Sequence, residues 1–535
     1  MKRKIVFLLL ILFSLNFSLP GAKYLIITHD NFYNAIQPLA QWKHKKGVPV
    51  KTVKLSEIGA TPESIGRIKN YIVNAYNTWN PRPEYVLLVG SPEYIRTDLN
   101  LYDDFYANMT GDYKMEISIG RFPDSTVSQC SVIVAKTLAY ERTPYTADTL
   151  WYKKGTCIIR EDGSIYPDTI YWNDSRYIYG LWLNAGYVHV DTFSRLAGDS
   201  AIDVVQAIDN GRAFVTFRGQ GLVNWWSPFA FFPDQTNNGF KLPIIVSGTC
   251  ATMRLEPGGA YLGENFLRAG TTTNPKGAVA FLGTTNSANP PGLARLRGMV
   301  TTNIFKTIFV DNMYKLGDAL KRAKFISDSI SPSGWSSTRY REWNMLGDPE
   351  LNIWTRPPKT LVVTHDSVIP RNATSLSVTV TRSGTPIQNA LVCIMKDTIL
   401  YQTGYTLVNG VKTFSITLND TGRIYLTVTA QNCRVYEGSI RVRASGIEED
   451  SKCTIQNSKY QILPNPCRDF VTINNSKLEI QNSAIYLYDV QGRRIENSKF
   501  EIKNSKLDLR NLPSGVYMVL IKNEKEDFLG KLVKR

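Results

Sequence analysis

Between Lys23 and Pro357 the chain alternates short, continuous apolar runs with longer stretches of helical periodicity. Tyr24–Thr28, Val50–Leu55 and Tyr85–Gly90 read as strands, and Phe32–Lys45 and Pro62–Asn80 between them as helices. The pattern restarts after Thr143, with strands at Thr156–Arg160, Tyr187–Val190, Ala213–Phe217, Pro243–Ser247 and Gly277–Gly283, and helices at Trp172–Gly186 and Ile202–Asn210. Unbroken apolar strands separated by helices predict a parallel sheet buried on both faces. Two such α/β halves are expected, over residues 23–144 and 145–356. Ligands of these sheets bind beyond the carboxyl ends of the strands.

After Arg356-Pro357-Pro358 the period shortens. Ser375–Thr381 and Tyr425–Thr429 alternate apolar and polar positions, which predicts a β-sandwich of the immunoglobulin type over 357–445. A polar linker follows at 446–459, and short strands return over 460–535. The Asn-Ser-Lys triplets in that last segment read as polar turns. At the other end, Met1–Lys4 is positively charged, Ile5–Leu15 is apolar and Ser18–Ala22 is rich in small residues. This is the layout of a cleavable secretory signal peptide, 1–22, too short to span a bilayer.

Composition narrows the function classes. At ~150 residues per domain, 535 residues call for about three or four. The hydrophobic share of 43% and charged share of 20% exclude wholesale disorder, collagen and a pure coiled coil. The net charge is +16, yet it is spread without a run of five basic residues, so no nucleic-acid partner is expected. The seven cysteines (Cys130, Cys157, Cys250, Cys393, Cys433, Cys453 and Cys467) form no CxxC pair, and only four histidines exist, so no metal motif is visible. In an exported protein, Cys393 and Cys433 are candidates for a bridge within the sandwich.

Two strand ends differ from ordinary turns: Phe217-Arg-Gly-Gln-Gly-Leu222 and Val246-Ser-Gly-Thr-Cys-Ala251. Glycines let backbone amides approach a ligand closely, and loops after adjacent parallel strands face one crevice. Cys250 there suits a nucleophile if a base or positive charge stabilises its thiolate. It equally suits a small buried structural thiol.

The stretch from Tyr24 to Ile353 resembles the gingipain family of secreted cysteine peptidases, which has a caspase-like fold. Tyr85-Val-Leu-Leu-Val-Gly90 matches its central strand. Asp103-Asp-Phe-Tyr106 with Ile117-Ser-Ile-Gly-Arg-Phe122 matches the segment between the halves, and Asn344-Met-Leu-Gly-Asp-Pro349 the run that closes the domain. The resemblance implies a histidine–cysteine dyad, and Cys250 falls on the cysteine position. The Gly-His-Gly turn falls on Gly219-Gln220-Gly221, so Gln220 stands where the histidine is expected. A carboxamide does not titrate near neutral pH; it polarises a thiol but cannot cycle its proton. The oxyanion hole would use the backbone amides of Cys250 and Gly221. An acidic residue near the first strand of the second half can orient the histidine or substrate in this family, which points to Glu161 or Asp162. Either also fits a solvated turn. Arg218 could lower the thiol pKa without acting as a base. His29, at the end of the first strand, is a candidate substitute base, whereas His44, His189 and His365 read as solvated or packed. No cofactor is required; structural calcium is possible by resemblance, without an assignable ligand set.

The segment from Tyr460 resembles the type A sorting domain of the type IX secretion system, through Leu463-Pro-Asn-Pro466, Tyr488-Asp-Val-Gln-Gly-Arg493, Leu512-Pro-Ser-Gly-Val-Tyr517 and Lys531-Leu-Val-Lys-Arg535. The expected architecture is therefore an α/β caspase-like fold, an immunoglobulin-like β-sandwich and a small β-sandwich sorting domain. Expected partners are polypeptides, the type IX secretion machinery and the outer-membrane surface, with an extracellular or cell-surface location. Three readings of function stay open. The first is an exported cysteine-type endopeptidase with Cys250 as nucleophile. The second is a pseudopeptidase that binds peptides in the same crevice. The third is a surface adhesin acting through its immunoglobulin-like domain.

Overall fold

The computed structural model describes residues 19–286, 291–330, 332–444, 460–475, 484–491, 493–495, 501–503, 506–522 and 527–535. Most of the expected signal peptide, the whole linker and Cys453 lie outside them. No helix among the described residues is long and apolar enough to cross a membrane. The chain divides into two compact units between Ala444 and Ser445.

The first unit is built on one ten-stranded sheet rather than two separate ones. In chain order its strands are β1 (Tyr24–Thr28), β2 (Val50–Lys54), β3 (Tyr85–Val89), β4 (Ser118–Phe122), β5 (Lys154–Ile159), β6 (His189–Ser194), β7 (Phe214–Arg218), β8 (Ile244–Gly248), β9 (Ala280–Thr284) and β10 (Trp343–Leu346). They lie side by side as β2-β1-β3-β4-β10-β9-β8-β7-β5-β6. Each half is internally parallel, as continuous apolar strands demand. The seam is β10, antiparallel to β9 and touching β4 at a single pair, Leu346 opposite Arg121.

Several boundaries differ from the sequence reading. The helix expected from Trp172 extends over Ile165–Asn184, with non-helical φ/ψ at Tyr166. Pro167 explains this, because the residue before a proline is pushed toward extended backbone. The helix Val127–Glu141 was not anticipated. The strand expected at Tyr187–Val190 runs instead over His189–Ser194, where edge exposure admits His189, Asp191 and Thr192 and hides the apolar signal.

At the starting edge of the sheet lies a buried charge cluster. Lys43 Nζ contacts Glu141 Oε2 at 2.8 Å, Glu350 Oε2 at 2.7 Å and Asp348 Oδ2. Lys46 and Lys315 complete it, so three ammonium groups meet three carboxylates. Tyr24 donates to Asp348 at 2.7 Å and Trp42 to Glu141 at 2.8 Å. The neighbouring lysines hold Glu141 down at about 2 against the opposing effect of burial.

Residues 360–444 form two facing sheets of four and five strands, closed over Leu376, Val378, Val392, Ile394, Leu426 and Ile440. They belong to the first unit and pack on its α/β part: the Tyr401 ring stacks on His44 at 4.2 Å, and Glu437 pairs with Lys45 and Arg142. Cys393 and Cys433 are separate thiols, not a bridge. Cys393 faces Gly47 of the α/β part, whereas Cys433 lies beside Arg382. The second unit has sheets of four and three strands among its described residues, around Leu487, Leu507, Val519, Ile521 and Leu532.

Candidate active site

The two glycine-rich strand ends meet because β7 and β8 are adjacent and parallel, with Gly248 opposite Arg218. After β7 the chain folds into a tight pair, Gln220 opposite Ser227 and Gly221 opposite Trp226. A side chain at Gly221 would place its Cβ 2.1 Å from the Cys250 carbonyl oxygen and 2.6 Å from Thr252 Cγ2. Only glycine fits that approach. Thr249 Oγ1 donates to the Gly219 carbonyl at 2.6 Å and ties the two turns together. Ser247 Oγ lies 3.0 Å from Thr252 Oγ1 and accepts from Trp226 Nε1 at 2.9 Å, fixing the turn from below.

Cys250 is 3% exposed and follows β8 by two residues. The next residue, Ala251, takes φ +59°, a left-handed conformation that costs a non-glycine residue about 1–2 kcal/mol. The thiol donates to the Gly221 carbonyl oxygen, Sγ to O being 3.4 Å. A carbonyl accepts a hydrogen bond but does not take the proton. Among the described residues the Cys250 amide N–H has no acceptor, which leaves it available to a ligand oxygen.

Gln220 lies beside this turn, and its Oε1 accepts from Arg160 Nη1. Arg160 immediately follows β5, the strand next to β7, and its own amide donates to the Arg218 carbonyl at 2.9 Å. Its Nη2 lies 3.6 Å from Asp162 Oδ2. Asp162 also accepts from the Ser164 amide at 3.0 Å, while Glu161 accepts from Trp172 Nε1. Of the two acidic candidates, Asp162 therefore reaches Gln220 only through Arg160, and Glu161 is bound to Trp172. Arg160 is the residue the sequence reading missed. The signal was present in the register: Ile159 pairs with Arg218, so the residue after Ile159 falls beside the Gly219-Gln220 turn.

Arg218 is not the free cation anticipated next to Cys250. It is fully buried and donates to Asp174 Oδ2 at 2.9 Å, to the Gly248 carbonyl and to the Ala294 carbonyl. Its guanidinium also covers the Tyr171 ring at 5.1 Å. It braces the strand ends. Tyr171 is 5% exposed. Burial holds its hydroxyl above the ordinary phenol range; the Arg218 and Arg160 guanidinium groups oppose that shift, and a Cys250 thiolate would add to it.

None of the four histidines meets Cys250. His29 does follow β1 on the carboxyl side, but five strand spacings separate β1 from β8, about 24 Å. It packs against Phe32 and Tyr94, with centroids 5.9 and 4.8 Å away. His44 stacks on Tyr401, His189 pairs with Asp191 at 2.6 Å and His365 lies 2.9 Å from the Tyr436 hydroxyl. The segment 287–290, beyond Asn286 whose carbonyl accepts from the Ala251 amide, has the sequence Ser-Ala-Asn-Pro and carries no titratable side chain.

The chain is similar to several gingipains of one organism. Gingipain R2 of Porphyromonas gingivalis is 22% identical over 525 residues, covering 96% of this chain and 68% of that protein. Lys-gingipain of the same organism is 22% identical over 448 residues, 76% of this chain and 25% of its own length. The crystal structure of the Arg-specific cysteine proteinase gingipain R superposes with a TM-score of 0.70 at 20% identity, covering 79% of this chain and 98% of that one. The caspase-like gingipain fold is thereby shared. Residues 461–535 match the secretion system C-terminal sorting domain, the type IX tail. Since residues 18–354, more than half of the chain, match the model of Peptidase family C25, the chain belongs to the C25, or gingipain, family.

Proposed function

We propose that this protein is an exported pseudopeptidase of the gingipain family, whose Cys250 crevice binds polypeptide segments without hydrolysing them. One observation carries the reading: the side chain beside the cysteine turn is Gln220, already held by Arg160, and no histidine lies within reach of Cys250. By the resemblance of the Gly219-Gln220-Gly221 turn, we read Gln220 as standing at the family's histidine position. Thiol attack on an amide requires a group that accepts the thiol proton and returns it to the leaving amine. Losing positioned proton transfer costs typically ~10²–10⁴ in rate, and more where ion-pair formation also activates the thiol.

In this reading a signal peptide over residues 1–22 carries the chain across the inner membrane, and the type IX machinery recognises the tail. The protein then acts outside the cell or at the outer-membrane surface, with polypeptides as partners and no cofactor. Residues 357–445 are an immunoglobulin-like domain that supports the α/β part.

A second reading, a cysteine-type endopeptidase with Cys250 as nucleophile, is favoured by the unpartnered Cys250 amide, which with Gly221 would make an oxyanion hole. The two are separated by incubating the purified protein and its Cys250→Ala variant with a mixed peptide library and sequencing the products by mass spectrometry. Identical product profiles support the pseudopeptidase. Cleavage by wild type that Cys250→Ala lacks establishes the peptidase and overturns it.

A further inference from the structure

We propose that the Cys250 crevice is a carboxylate clamp, which takes the C-terminal α-carboxylate of a polypeptide through Arg160, Tyr171, Gln220 and the Cys250 amide. The inference rests on the crevice being a binding site without turnover, and it names what is bound.

The groups that converge here are donors. Arg160 carries five N–H groups in a planar fork. One is directed at Gln220, and the one carboxylate paired with it among the described residues, Asp162, stands off at 3.6 Å. Its side chain is 25% exposed and open to a ligand. The Tyr171 ring is buried, while its hydroxyl bonds to no described residue and is left to donate to a ligand. The ring lies 5.1 Å under the Arg218 guanidinium, and the Arg218 carbonyl accepts from the Arg160 amide at 2.9 Å, which brings Tyr171 to the same strand ends. Because Gln220 uses its oxygen on Arg160, its amide nitrogen is left to donate, again without a partner among the described residues. The Cys250 N–H is the fourth donor.

A scissile peptide carbonyl offers one neutral oxygen to such a set. A carboxylate offers two charged oxygens with about four acceptor sites and matches the guanidinium fork. Asp174, the other acid near Arg218, is occupied by that arginine and does not neutralise the clamp. Arg160 and Cys250 stand at the ends of β5 and β8, which flank β7, so the donors surround the Gly219-Gln220 turn; the terminal carboxylate is the one such group that every polypeptide carries, whatever its sequence.

The test uses three pools of N-acetylated random hexapeptides: free C-terminal acids, C-terminal amides, and amides with one internal glutamate. Each is applied to the purified protein, and retained and flow-through peptides are identified by mass spectrometry. Charge-assisted hydrogen bonds of this kind correspond to an enrichment of about tenfold or more for free acids over amides. Arg160→Ala should abolish that preference, and Tyr171→Phe, which keeps the ring under Arg218, should weaken it severalfold. Equal retention of acids and amides, no retention of any pool, or an undiminished preference in both variants overturns the clamp while leaving the non-cleaving reading intact. Retention of the glutamate pool equal to that of the free acids overturns the assignment to a terminus. Shortened peptides that Cys250→Ala does not produce overturn the underlying reading itself.

Discussion

At the scale of single residues, Arg160 decides what Gln220 can be replaced by. A guanidinium beside an imidazole disfavours its protonated form, so restoring a histidine alone is expected to restore little. The double variant Arg160→Ala, Gln220→His should cleave peptides faster than Gln220→His, and both faster than wild type. A peptide-library digest followed over time measures this, and a Gln220→His variant as active as the double variant would contradict the role given to Arg160. Arg218 makes a separate point. Its Asp174 partner is largely buried, and burial pushes that carboxyl up while Arg218 pulls it down. Asp174→Ala leaves an uncompensated buried guanidinium, with an expected loss of about 3–5 kcal/mol, measurable by denaturant titration. A loss below about 1 kcal/mol would mean that Arg218 finds water or another acceptor. In the sequence, Cys250 and Gly221 stood out because glycine-bearing turns follow two apolar runs, and the structure brings those two turns together. Arg160 did not, because its role arises only when β5 and β7 are paired.

At the scale of elements, the turn 219–221 is shaped by closeness to the turn 249–252. Gly221→Ala forces a Cβ to within 2.1 Å of the Cys250 carbonyl oxygen, so the turns must separate. The expected result is a fall in Tm of several degrees together with faster alkylation of Cys250 by iodoacetamide. An unchanged Tm would show that the turn yields cheaply. Strands buried on both faces, such as Tyr24–Thr28 and Tyr85–Val89, were legible to within a residue, since no polar position interrupts them. The edge strand His189–Ser194 and the start of the helix at Ile165 were not. Exposure removes the apolar signal in one, and Pro167 with its polar neighbours imitates a turn in the other. The ten-stranded sheet escaped as well, because its seam is the four-residue strand Trp343–Leu346, well separated in sequence from the two strands it joins, Ser118–Phe122 and Ala280–Thr284.

At the scale of the whole molecule, the charge cluster at Lys43 sets an acid limit. Glu141 sits at about 2 in the folded protein, below the ordinary carboxylate range of an unfolded chain, ~4.3. Its contribution is therefore complete above that range and lost as the pH falls toward 2. Thermal unfolding from pH 7 to pH 2.5 should show Tm falling below about pH 4.5, and Glu141→Gln should flatten part of that decline; a parallel decline in the variant would remove Glu141 from the account. The tail forms its own compact unit, so ending the chain at Ala444 should leave the main transition within about 2 °C, whereas a large shift would reveal dependence on the tail.

The most direct measurement of the central claim is the time course of peptide-library cleavage by wild type, Cys250→Ala and the double variant Arg160→Ala, Gln220→His under identical conditions. Wild type matching Cys250→Ala, with cleavage gained by the double variant, is the predicted result: an intact crevice that lacks a base and holds Arg160 beside the place of one. Cysteine-dependent cleavage by wild type would contradict it, and would mean that a group other than histidine activates Cys250.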